Sequence, residues 1–121
     1  MNSTHSFLFA TRPPELLCFS GAVTNVSTYL PGPGGQAADG FPMPRRGILT
    51  ALQIWDGTTL RSNTDEIAFN AGDRLALYCQ STGTNFTVRV RVNGSSSNLQ
   101  VLSVPYNSTL FATVEFLLIR E

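Results

Sequence analysis

Few residues in this 121-residue chain have the types and spacing that chemistry requires. General acid–base and nucleophilic mechanisms need titratable groups that converge. The only histidine, His5, stands in a polar leader, where a solvated tail residue is the plain reading. Asp65 and Glu66 are sequence neighbours; on a strand they would face opposite sides, so they read as a charged turn, not an acid–base pair. Asp56 and Asp73 lie beside glycines, where an aspartate caps turn N–H groups. Neither brings the dense oxygen ligands of a calcium loop, and no His/Cys cluster has metal-ligand spacing. The sequence therefore points to no catalytic residue, metal or cofactor.

Cys18 and Cys79 sit in apolar contexts and read as two buried, reduced thiols acting as small hydrophobes. Their spacing neither forbids nor demands a disulfide. Trp55 precedes Asp56-Gly57 at a strand end, where an aromatic ring can stack on a pyranose or simply pack at a sandwich rim. Arg89 and Arg91 share one strand face and can pair with acids of a partner, or form an ordinary solvated face. Phe7, Leu8 and Phe9 are an apolar triplet inside the leader and candidates to anchor it on a partner.

These residues must be positioned by strands. Asn85–Asn93 alternates cleanly, with Phe86, Val88, Val90 and Val92 on one face and Thr87, Arg89 and Arg91 on the other. Asp73–Gln80 aligns Leu75, Leu77 and Cys79. Ser81–Thr84, Asn93-Gly94, Asp56-Gly57 and Asn70-Ala71-Gly72 have turn chemistry around these strands and around Ile48–Trp55, Ile67–Phe69 and Leu99–Val104. Leu16–Val23, Val26–Leu30 and the long Thr109–Arg120 complete the set. Pro13-Pro14 excludes helix near the leader, and the Gly/Pro-rich segment 31–44 reads as a long loop without regular structure. The expected fold is an all-β, antiparallel β-sandwich of jelly-roll type over residues 16–121, preceded by an extended N-terminal arm, residues 1–15.

Composition narrows the function classes. Only 13% of residues are charged, eight arginines balance eight acids, and lysine is absent. A neutral chain has no long-range attraction for phosphate backbones, which argues against a nucleic-acid partner. It also lacks the repulsion that keeps copies apart. The longest apolar run, Phe116–Ile119, is far short of a bilayer span, and the N-terminal stretch lacks the pattern of a signal peptide. The expectation is synthesis in a cytoplasm with no membrane partner. On that expectation the Asn-x-Ser/Thr sequons at Asn2, Asn25, Asn85, Asn93 and Asn107 are chance products of a chain about one quarter Ser, Thr and Asn.

Three phrases carry a family resemblance: Met43-Pro44-Arg45-Arg46-Gly47-Ile48-Leu49-Thr50-Ala51-Leu52, Phe69-Asn70-Ala71-Gly72-Asp73-Arg74-Leu75-Ala76-Leu77, and Ala112-Thr113-Val114-Glu115-Phe116. They resemble the strand-and-turn phrases of small jelly-roll domains of tailed bacteriophages, over roughly residues 43–121. The Val-Arg-Val-Asn-Gly hairpin follows the Ala-Gly-Asp-Arg strand here instead of preceding it, so no family site positions carry over. The resemblance implies a non-enzymatic virion protein, a capsid cement (decoration) protein that trimerises outside the shell and binds the major capsid protein. The alternative it implies is a receptor- or glycan-binding head of a tail fibre or spike, with Trp55 as a glycan contact. In the last strand, Leu110, Ala112, Val114, Phe116 and Leu118 form the core face, while Phe111, Leu117 and Ile119 on the other face are the expected homotrimer contact, with the 31–44 loop of the same chain as the alternative cover, above all for Phe111.

Overall fold

The computed structural model describes residues 14–35 and 38–119. Strands β1 (Glu15–Ala22), β9 (Thr109–Leu118), β4 (Gly47–Trp55) and β5 (Leu60–Phe69) lie in that order in sheet A. Sheet B runs β2 (Thr28–Leu30), β6 (Arg74–Ser81), β7 (Phe86–Val92), β8 (Ser95–Val104), and the two-residue β3 (Phe41–Pro42) extends the β2 edge by pairing with β6. Each pairing is antiparallel. The two sheets face each other across one core, so the chain is an antiparallel β-sandwich, as its alternation predicts. Consecutive strands stay together in the hairpins β4–β5 and β6–β7–β8, and the chain changes sheets between β1 and β2, β3 and β4, β5 and β6, and β8 and β9.

Period-two alternation decides which side chains enter the core. Leu110, Ala112, Val114, Phe116 and Leu118 of β9 are all buried, and Phe86, Val88 and Val90 of β7 meet them with Leu75, Leu77 and Cys79 of β6. Strand β4 departs from strict alternation. Leu49 and Leu52 are both buried although three residues apart, because the register slips at a bulge that sets Thr50 and Ala51 against Glu115 of β9. The β7–β8 turn is the two-residue Asn93-Gly94, with both φ positive (53° and 84°), the geometry a tight hairpin needs. At the start of β4, a Cβ on Gly47 would stand 2.3 Å from the Leu117 carbonyl oxygen and 2.7 Å from a Phe69 ring carbon, so this crossing requires glycine.

Several boundaries differ from the sequence expectation. Asp65 and Glu66 are not a turn but lie within the ten-residue strand β5, which starts at Leu60 rather than Ile67. Strand β8 starts at Ser95, four residues before Leu99, because the tight Asn-Gly turn lets pairing resume at once. Segment 31–44 is not wholly irregular: it holds a 3-10 turn, Pro33–Gly35, and β3. Its end is stitched down by Met43 N–H to the Asp73 carbonyl and Gly72 N–H to the Met43 carbonyl, both 2.8 Å, which buries Met43 in the core. Glu15 already pairs with Phe116, so the sandwich begins one residue earlier than expected. The rest of the expected arm, with His5, Phe7, Leu8 and Phe9, lies outside the described residues. Among the described residues no helix is long and apolar enough to cross a membrane.

Candidate functional site

Four of the six large exposed apolar side chains among the described residues, Leu16, Trp55, Leu60 and Phe111, lie on the outer face of sheet A. Strand register places Ser20, Phe111, Trp55 and Leu60 in one row across β1, β9, β4 and β5. The next row on the same face is Cys18, Thr113, Gln53 and Ser62. Trp55, Leu60 and Phe111 are 42%, 57% and 54% exposed, large values for three neighbouring apolar side chains. With Cys18, Gln53 and Thr113 they line an open groove of about 370 Å³. The described part of segment 31–44 leaves Phe111 exposed.

The β4–β5 turn holds this row in place. Asp56 turns its side chain inward, where one carboxylate oxygen accepts Thr58 N–H (2.9 Å), the Thr58 hydroxyl (2.9 Å) and Thr59 N–H (2.8 Å), and the other accepts the Arg61 guanidinium. The Thr59 and Thr58 amides, followed by the Thr58 hydroxyl and Arg61, hold its pKa well below the usual carboxylate range against the opposing effect of burial. The turn thereby fixes Trp55 opposite Leu60.

Leu117, near the other end of the same strand, and Ile119, just past it, are both half-buried; Leu117 pairs with Ile48, and Ile119 N–H donates to the Arg46 carbonyl at 3.1 Å. Phe111 and Leu117 lie six positions apart, about 20 Å of strand. Phe111 is joined by Trp55 and Leu60. Leu60 was not singled out from sequence. Its signal is its alternation with Ser62 and Thr64, visible once β5 is extended back to the Thr58-Thr59 turn. Between the two ends, Glu115 accepts the Thr50 hydroxyl at 2.7 Å. Among the described residues no group of His, Cys, Asp and Glu could hold a metal ion.

The two cysteines are free and part company. Cys79 faces the core from β6, and burial pushes its thiol pKa up to about 12. Cys18 is exposed, not buried as its apolar neighbours suggest, because Leu17 and Phe19 take the inward positions of β1 and leave Cys18 on the outer face. Arg89 and Arg91 project from the outer face of sheet B, opposite the Trp55 groove.

Comparison with protein-family models, with curated proteins and with solved structures finds no match for this chain.

Proposed function

We propose that this protein is a non-catalytic structural module that self-associates through the outer face of sheet A. The row of Trp55, Leu60 and Phe111 carries this reading. Three large apolar side chains in register are unfavourable in water, and burying each one fully is worth roughly 1.5–3 kcal/mol. A second copy is the occupant the surface suits. Around a symmetry axis each subunit contributes the same patch, and a chain of zero net charge meets no electrostatic barrier to its own kind. The jelly-roll resemblance makes the specific form a phage capsid cement protein, a homotrimer on the virion exterior, with residues before β1 reaching the major capsid protein through Phe7, Leu8 and Phe9.

Light scattering on the purified chain should report a trimer, and Phe111→Asp, at a position already exposed in the single chain, should yield a folded monomer by circular dichroism. A monomeric parent, or a variant that stays trimeric, would place the contact elsewhere. Removing residues 1–13 should leave the trimer intact and abolish decoration of shells. A truncated chain that still decorates would reject the arm. The second reading, a glycan-binding head, rests on Trp55 and Phe111 flanking a groove with amide and hydroxyl groups from Gln53, Thr113 and Ser20. A neutral-glycan array separates the two, since binding abolished by Trp55→Ala in a chain that never trimerises favours the head.

A further inference from the structure

Charge is distributed unevenly between the two sheets. The strands of sheet A carry Glu15, Asp65, Glu66 and Glu115 against Arg61, which is already engaged by Asp56. The strands of sheet B carry Arg74, Arg89 and Arg91 and no carboxylate at all. Arg91 is held in one pose: its guanidinium lies 4.0 Å from the Tyr78 ring centroid and donates to the Tyr29 hydroxyl at 2.8 Å, while the two tyrosine rings are 4.7 Å apart. Arg89 stands two residues away on the same face, between Tyr78 of β6 and Gln100 of β8. Neither arginine has a carboxylate partner among the described residues, and the Nε of each is buried without a hydrogen-bond partner, a cost that native proteins seldom leave unexplained. Strand β8 breaks register on both sides of the Arg89–Gln100 level, and such paired bulges re-aim side chains.

We propose that the outer face of sheet B binds a carboxylate-bearing saccharide. Arg89 and Arg91 take the carboxylate, and the amide of Gln100 and the Tyr29 hydroxyl take sugar hydroxyls. Arg89 and Arg91 alternate on one strand face with backbone positions about 7 Å apart, a spacing from which two long side chains can bind a carboxylate by one fork or share it between both. Because Arg91 is already fixed, less side-chain freedom is lost on binding. A saccharide fits this face better than a protein does, because Leu102 is the only large exposed apolar side chain in the described strands of sheet B, and a protein contact needs an apolar anchor. This site lies on the face opposite the self-association surface and stands or falls independently of it.

The test uses the full chain and three probes: a glucuronate-containing tetrasaccharide, its carboxyl methyl ester, and a short acidic peptide, titrated by calorimetry at fixed salt. The acidic sugar should bind, the ester at least tenfold more weakly, and the peptide not measurably. Arg89→Gln and Arg91→Gln should each lose at least tenfold with the fold unchanged by circular dichroism, while Phe111→Asp should bind the sugar like the parent. Equal binding of acid and ester, no binding of either, or a preference for the peptide would each overturn the assignment. So would competition by inorganic sulfate at the sugar's own concentration, which would show a general anion site without sugar recognition.

Discussion

Asp56 and Cys18 show how much one residue's environment sets its chemistry. Because the Asp56 carboxylate is held ionised by the Thr59 and Thr58 amides, its folded pKa lies below its unfolded value of about 3.9. A group depressed in this way stabilises the fold fully above its unfolded pKa and loses that contribution as pH falls through its folded pKa. Asp56→Asn should therefore lower the melting temperature at pH 7, with a deficit that shrinks below about pH 4. Thermal melts of both proteins from pH 7 to pH 2 check this, and a deficit independent of pH would assign the effect to turn geometry alone. Cys18 and Cys79 should separate by reactivity. Alkylation of the native, dilute chain should modify Cys18 alone, and denaturation should expose Cys79. In the assembled oligomer Cys18, one row from Trp55 and Phe111, should be protected as well; alkylation at the same rate in both states would count against the sheet A contact.

At the scale of elements, tolerance depends on where a strand crosses its neighbours. Gly47→Ala places a methyl group against the Leu117 carbonyl and the Phe69 ring between β9 and β5. Overpacking of this kind costs about 1–3 kcal/mol, and urea unfolding should show a lower midpoint with an unchanged slope. Gly94→Ala meets no such neighbour, and its cost comes only from the positive φ of the turn. Leu52→Ala, in the middle of β4 and fully buried, should cost about 2–5 kcal/mol. The free edge of β5 is guarded differently. The Asn63 amide donates to the Gln100 carbonyl at 2.8 Å and to the Asn98 carbonyl at 3.3 Å, tying β5 to β8 where the two sheets come together. Asn63→Ala should lower stability modestly and raise hydrogen exchange in β8 near those carbonyls more than in β6.

The whole molecule presents two unlike faces. Sheet A offers an aromatic and aliphatic row beside acidic strands, and sheet B offers arginines stacked on tyrosines. Zero net charge conceals this polarity, because the total is blind to which sheet each residue joins. The two proposed roles can be separated in one set of variants: Phe111→Asp should remove self-association and spare the sheet B ligand, while Arg89→Gln should do the opposite. A single variant that removed both would mean that the ligand site is completed only in the assembly.

Much of this was legible in the chain. The alternations in 85–93 and 109–118 specify strands and their inward faces whatever the neighbours are, because side-chain direction has a period of two. The Asn-Gly and Asp-Gly turns are equally local, since positive φ and carboxylate capping need only adjacent residues. Strand pairing is not local. That Phe111 lies beside Trp55, fifty-six positions earlier, and that Leu60 completes the row, follows from the β4 register and its bulge at Thr50, which no period in the sequence reveals. Cys18 depends on packing as well: Leu16 to Phe19 are all apolar, so only the burial of Leu17 and Phe19 against the other sheet decides which parity of β1 faces inward. Arg91 likewise reads as a solvated arginine until tertiary pairing brings Tyr29 and Tyr78 beneath it.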